Sequence, residues 1–420
     1  MTGSNGRQSN AEWRERIHRE ISQYIRRNTQ LVENVHFFFA GFRDSPRLCV
    51  LHMRVNPVYA MTIAGMAVEL SMAVGMPPER TIRIGRGDGG GLVFEIPKPP
   101  PWPTLAADEL PASSGLAIPL GIEVGKKLAV LDFKAHLSAH LLVTGTTGSG
   151  KTTALRLIAY KLAQQNAPKD LGLVLIGDDC ETWLGFSNLA HLLHPVTDET
   201  EAIPLLLWAR NEMTRRKDGE KSQYPPAVFI IIDEAATLLD DDEAVKLVTR
   251  LAERGRKYGF HIVLAVQNPN TESLKNPNIK RLMPTRLVFR VDGGQTAALA
   301  TGRGDTGAEL LTAEGDGLLL LPSRTIRLTT AVVGEGEARS LPQTDKVRLL
   351  PIEDVPESDL PRSGRKAEGI EPEHVAWWLA HPAGSERQAW EDLHIGFPRI
   401  KAARVFAQAI ERAESEFKGG

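Results

Sequence analysis

The sequence predicts an α/β fold built on a parallel sheet, and three features predict it. From about residue 128, apolar runs alternate with stretches of helical period. The runs AHLLVTG, LGLVLIG, AVFIIID, HIVLAVQ and RLVFRV are rich in Val, Ile and Leu, as strands covered on both faces must be. The stretches between them, KTTALRLIAYKLAQQ, PLLLWARNEMTRR and AVKLVTRLAERGRKYG, are long enough to carry the chain back for another parallel strand.

Composition narrows the class. Of 420 residues, 42% are hydrophobic and 24% charged, which supports packed cores rather than disorder. The 50 Lys and Arg nearly balance the 52 Asp and Glu, so no global basic field marks a nucleic-acid partner. Any such contact must come from a local patch or a lined channel. Cys49 and Cys180 have no CxxC spacing, which argues against a disulfide framework or zinc site and fits a reducing compartment. His136 and His140 lie at helical ligand spacing but lead into an apolar strand, so a metal role is not assigned to them. MTGSNGRQSN lacks the apolar run of a signal peptide. The segment VNPVYAMTIAGMAVELSMAVG carries Pro57 and Glu69 and reads as a buried helix rather than a span. The expectation is a cytoplasmic protein without a membrane span.

The elements follow in order. Residues 1–46 form a basic helical region: Trp13, Ile17, Ile21, Tyr24 and Ile25 share one face, and Arg14, Arg16, Arg19, Arg26 and Arg27 decorate the rest. That helix either docks with a solvated face or touches DNA or membrane. Residues 47–127 read as a small α+β module, with RLCVLHMRV a strand and residues 59 to 74 a helix. TIRIGR and GLVFEI then form a hairpin around GDGG, which is a turn because no helix follows it. The extended KPPPWP run closes the module. The alternating strand–helix region, in which a motor is expected, occupies 128–335. Residues 336–369, rich in Pro, Gly and charge, read as a linker, and 370–420 as three helices of helix-turn-helix type.

Within the motor, HLLVTGTTGSGKTT carries the chemistry. Gly145, Thr146, Thr147, Gly148, Ser149, Gly150, Lys151 and Thr152 match GxxxxGK[ST], with a strand before and a helix after, and these residues with Thr153 are the nucleotide-binding candidates. Glycines let successive N–H groups face phosphate oxygens at a helix N-terminus. The fold class is therefore a P-loop NTPase (RecA-like) parallel-sheet core, with ATP and Mg²⁺ as cofactors. Lys151 would bridge the β- and γ-phosphates, and the Thr152 hydroxyl would ligate Mg²⁺. AVFIIIDEAATLL delivers Asp233 to the Mg²⁺ shell and Glu234 to the attacking water. Gln267 ends the next apolar run, where it can touch both the γ-phosphate and that water.

Downstream, LAERGRKYGFHIVLAVQNPN, NIKRLMPTRLVFRV and GAELLTAEGDGLLL resemble the FtsK/SpoIIIE family of DNA translocases, as do the phosphate loop and EMTRR. Upstream, AVELSMAVGMP, GLVFEIPKP and PLGIEVGK resemble the module preceding that motor, so the resemblance spans roughly residues 47 to 335. It implies an ATPase that assembles as a homo-hexameric ring and threads double-stranded DNA through its channel. It also implies an arginine finger from a neighbouring subunit, with Arg216 first, then Arg215, Arg256 and Arg286. Lys275, Lys280 and Arg281, in the loop matching a channel loop, would track phosphates without reading bases. LHIGFPRIKAARV resembles the family's terminal DNA-reading module, with Arg399, Lys401 and Arg404 on its recognition helix, although no strands of a wing follow. IGDDCETW departs from the family's Asp-Pro-Lys signature, and KDGEKSQYPP is a short loop. With no membrane-spanning amino-terminal domain, the resemblance favours a compact member serving conjugative transfer or DNA segregation. Membrane-bound or relaxase-type partners stay open. So do two other functions: a related ring ATPase for protein secretion, and an ATP-switched DNA-binding regulator.

Overall fold

The computed structural model describes residues 5–351, apart from 46, 79, 88–90, 126, 178, 179, 184, 199–201, 268–276, 305 and 313, together with 377 and 380. By internal packing the chain divides into two units, Met1–Val355 and Pro356–Gly420. The second unit, with Arg399, Lys401 and Arg404, lies outside the described residues except for helical Trp377 and Ala380.

The first unit opens with helix α1 (Asn5–Thr29), which buries Ile17, Ile21 and Ile25 against a four-stranded antiparallel sheet. The sheet comprises β1 (Phe37–Asp44), β2 (Leu48–Val55), β3 (Arg83–Arg86) and β4 (Leu92–Pro97), in the order β1-β2-β4-β3. The small module therefore begins well before residue 47. Strand β1 is hard to foresee because it lies at the sheet edge, half its side chains are exposed, and its register slips at Gly41. The helix expected over residues 59 to 74 is two helices, α2 (Pro57–Ala64) and α3 (Ala67–Ala73). Asn56 starts the first by accepting from Val58 N, and Gly65 ends it.

A nine-stranded sheet forms the motor, in the order β6-β5-β13-β12-β11-β7-β10-β9-β8. Its strands are β5 (Ala117–Glu123), β6 (Leu128–Asp132), β7 (Leu141–Thr144), β8 (Leu171–Ile176), β9 (Ala227–Ile232), β10 (Phe260–Val266), β11 (Arg286–Val288), β12 (Asp316–Leu320) and β13 (Thr325–Thr330). The core is parallel, as the apolar runs predict: β11, β7, β10, β9 and β8 pair in one direction. The remaining four strands extend it antiparallel. Strand β5 joins β13 here, so the motor begins before residue 128.

Helices α4 (Lys151–Gln165), α5 (Ala202–Lys217), α6 (Ala235–Leu238) and α7 (Asp242–Arg254) follow strands of the parallel core. One core cluster buries α4 with Leu141, Val143, Ile231 and Val263; the other buries α5 and α7 with Leu142, Ile230, Ile232 and Leu264. Alternate residues of each strand thus face opposite layers, and the sheet is covered on both sides. Asp241 caps α7 by accepting from Glu243 N at 2.8 Å and Ala244 N at 3.1 Å.

The linker reading fails for residues 336–350. Helix Glu335–Arg339 buries Ala338, while Leu341 and Leu350 join the two motor cores. Isolated anchors in a polar segment disappear in its average composition. Among the described residues no helix is long and apolar enough to cross a membrane. Cys49 is a free, buried thiol, pushed up to about 11 by burial.

Candidate nucleotide site

The carboxyl ends of β7, β9 and β10 meet at one edge of the parallel sheet. The loop after β7 turns through Gly148 at φ +72° and Gly150 at φ +112°, and α4 starts at Lys151. Thr147 and Gly148 are exposed at the loop tip, whereas Ser149, Gly150 and Lys151 are buried. Gly150 cannot be larger, because a Cβ there would lie 2.9 Å from the backbone N of Gly315. The loop is braced from outside by Thr146 N donating to Arg290 O at 2.8 Å and Gly315 N donating to Ser149 O at 3.0 Å.

Five predicted side chains converge here. Lys151 Nζ donates to Gly145 O at 2.9 Å and lies 3.6 Å from Glu234 Oε1. Thr152 Oγ1 donates to Asp233 Oδ2 at 2.6 Å, and Asp233 Oδ1 accepts from Glu234 N at 3.0 Å. Gln267 Nε2 donates to Glu234 Oε1 at 3.2 Å. Glu234 sits in the left-handed region at φ +47°, which is costly for a residue with a Cβ. That kink ends β9 and turns the carboxylate toward Lys151 and Gln267, a placement a regular strand end would not give.

Thr152 and Asp233 offer a hydroxyl and a carboxylate oxygen side by side, a hard donor set suited to Mg²⁺. Among the described residues no group of three His, Cys, Asp or Glu can hold a metal ion. A cation here would draw its other ligands from nucleotide and water, as Mg²⁺ at phosphate sites does.

Arg216 lies elsewhere, at the amino edge of the sheet. Its Nε donates to Glu212 at 3.0 Å, and its terminal nitrogens donate to Pro226 O, Tyr258 O, Ser222 Oγ and Pro225 O at 3.0, 2.8, 3.4 and 2.8 Å. The guanidinium also stacks on Phe260, 4.8 Å from the ring centre. Every nitrogen of this side chain is thus committed within the chain. Arg286 is similarly buried against Leu299 O, Ala300 O and Lys280 O. Arg215 is half-exposed beside Glu212 and Glu220, and Arg256 is partly exposed. Arg281 is exposed on the short helix Pro277–Leu282; Lys280 beside it is half-buried, its pKa lowered by burial and then by Arg286. Lys275 lies outside the described residues. Sequence reasoning did not single out Phe289, Arg290 or Gly315 as the backing of the loop, since spacing along the chain does not reveal a neighbour across the sheet.

Residues 110–219 match the model of the FtsK/SpoIIIE family. The DNA translocase FtsK of Chlamydia trachomatis is 30% identical over 265 residues, covering 54% of this chain and 32% of the relative. That of Clostridium acetobutylicum is 32% identical over 253 residues, covering 54% and 32%. This chain thus spans about a third of the length of these curated relatives. Among solved structures, EssC (ATPases 2 and 3) from Geobacillus thermodenitrificans superposes with a TM-score of 0.50 at 15% identity, over 60% of this chain and 55% of that one. This likeness shows the shared fold. With the phosphate loop, its acidic partners and the strand-end Gln in place on that fold, the chain is similar to the FtsK/SpoIIIE family over residues 110–219.

Proposed function

We propose that the protein is an ATP-driven translocase of double-stranded DNA that works as a homo-hexameric ring. One observation carries the hydrolytic half of this reading: Lys151, Thr152, Asp233, Glu234 and Gln267 form one connected polar cluster at the phosphate loop. The DNA half is supported by the relatives, which are DNA translocases at about 30% identity.

The backbone N–H groups of the loop and the start of α4 bind the phosphates. Lys151, now turned onto Gly145 O, exchanges that carbonyl for phosphate oxygens when nucleotide arrives. Thr152 and Asp233 would hold Mg²⁺, which would supply charge neutralisation on the nucleotide's phosphates. Water attacks the γ-phosphorus and gives its proton to Glu234. The bond to the bridging oxygen breaks, leaving ADP and phosphate. Gln267, hydrogen-bonded to Glu234, reports the presence of the γ-phosphate to the segment that follows β10. That segment leads to Lys275, Lys280 and Arg281, which would track DNA phosphates. Such binding is indifferent to sequence and weakens steeply with salt. The arginine finger falls to a more accessible residue than Arg216, with Arg215 and Arg256 the first to test. Arg399, Lys401 and Arg404 are candidates for contacts outside the channel, and conjugative transfer or segregation is the process such a motor would serve.

Displacement of a third strand from a duplex track tests the proposal. The wild-type protein should displace it with ATP, and Lys151→Ala should not. ATP-dependent displacement that survives Lys151→Ala would remove this loop from the mechanism.

A further inference from the structure

Behind the phosphate loop lies a buried chain of charges that the hydrolysis steps do not use. Asp316 opens β12 and receives Arg327 of β13 through two contacts, Nε to Oδ1 at 3.0 Å and Nη2 to Oδ2 at 2.6 Å. The third Arg327 nitrogen reaches across to the small module, donating to Glu95 Oε2 of β4 at 2.6 Å. Arg83 of β3 shares the same oxygen at 2.6 Å and donates through Nε to Thr306 O. Arg47, in the turn before β2, donates to Glu314 O. Arg83 and Arg47 of the small module therefore hold the stretch from Thr306 to Asp316 directly, and Glu95 reaches it through Arg327.

That segment also backs the nucleotide loop. Gly315, at φ +75°, lies between Glu314 and Asp316, both held by these arginines. Its N–H holds Ser149 O, and its backbone leaves no room for a Cβ on Gly150. Arg327 and Asp316 are almost wholly inaccessible and Glu95 nearly so. Burial works against the charge on Arg327 and on Glu95, but the opposing charges outweigh it and keep both ionised. Such a chain is a poor way to stabilise a fold, since apolar packing of equal volume would do as well or better. It is a good way to fix orientation, because a bidentate pair tolerates few geometries.

We propose that Arg327, Glu95 and Arg83 are positioning residues for the phosphate loop, so that the seat of the small module on the motor sets nucleotide affinity. This deepens the nucleotide-site reading above and rests on it. The test is equilibrium binding of a fluorescent ATP analogue with Mg²⁺ to the full chain, with circular dichroism and thermal unfolding on every variant. Glu95→Gln and Asp316→Asn should each raise Kd about five- to tenfold. Because both act through Arg327, the double variant should bind no more weakly than the worse single one. Arg83→Lys should bind within about twofold of wild type, whereas Arg83→Gln should weaken binding about threefold. A purely structural role would lower the unfolding midpoint and leave Kd unchanged. A folded Glu95→Gln protein that binds within about twofold of wild type overturns the proposal. Should Glu95→Gln not fold, Arg83→Gln, which leaves the Glu95–Arg327–Asp316 chain intact, decides by the same criterion. Lys151→Ala separates the two failures. If it still binds ATP at full affinity, the nucleotide reading is wrong; if it loses binding while the other variants keep theirs, only the coupling is.

Discussion

The two edges of the parallel sheet hold their polar side chains in opposite ways. At the carboxyl edge, Lys151, Glu234 and Gln267 make few and exchangeable contacts, Gln267 is exposed, and Glu234 holds a costly backbone conformation. At the amino edge, His140 and His261 are buried, Arg216 is largely so, and all three are tied to backbone. Arg216 caps the approaches to β9 and β10, His140 Nδ1 accepts from Ile262 N at 3.1 Å, and a ring nitrogen of His261 meets Ala139 O at 2.9 Å. The difference teaches where to look for chemistry in this fold. A polar side chain held by several carbonyls away from the phosphate loop marks scaffold, whereas one with few partners beside that loop is a candidate for the reaction.

Substitutions on the two edges should therefore fail in different ways. Glu234→Gln keeps shape and hydrogen bonding but cannot take the proton. It should bind ATP normally and lose about 10²–10⁴-fold in kcat. A variant with weakened ATP binding and preserved kcat would place Glu234 in the scaffold class instead. Arg216→Ala should do the reverse. It removes the nearer of the two arginines paired with Glu212, which is 2% exposed, at a cost of about 3–5 kcal/mol in denaturant unfolding. If Arg216→Ala kept wild-type stability and lost turnover only in assembled protein, it would be acting on a neighbouring subunit, and the contrast between the edges would break.

The histidines sharpen the contrast through pH. Burial, then His261 and Arg256, pulls His140 from 6.5 to about 3, and burial with Arg256 pulls His261 to about 4. Both fold as neutral rings, so the unfolded chain binds more protons below pH 6.5. Their contribution is fully present above that pH and is lost as pH falls toward 4, by about 1.4 kcal/mol per pH unit for each ring. Unfolding midpoints between pH 7.5 and 5 should fall accordingly, and His261→Gln should flatten the slope. An unchanged slope would mean that the amino edge tolerates charge. The smallest effect is expected at Gln267→Ala, where losing one hydrogen bond to a carboxylate should lower turnover by about tenfold with unchanged stability. A fall in stability instead would move Gln267 to the scaffold.

Legibility from sequence followed the same divide. The phosphate loop was readable because its groups are neighbours in the chain. Asp233, Glu234 and Gln267 were readable because each ends an apolar run, and in a parallel sheet such ends share one edge. The left-handed turn at Glu234 carries no sequence signal, since most residues adopting it are glycine or asparagine. The intrachain ties of Arg216 were not legible because its partners include the carbonyls of Pro225, Pro226 and Tyr258, which any side chains could have supplied. The charges at 47, 83, 95, 316 and 327 come together only after two sheets have formed. Residues 95 and 327 are 232 positions apart. Strand β5 was read with the small module for a related reason: its partner in the large sheet, β13, lies far downstream in the chain.

ATP turnover by the wild-type protein with and without duplex DNA, with Glu234→Gln as the blank, tests the central claim most directly. Turnover should rise with duplex of any sequence, fall steeply with salt, and disappear in the blank. Turnover indifferent to DNA, or persisting in Glu234→Gln, would contradict it.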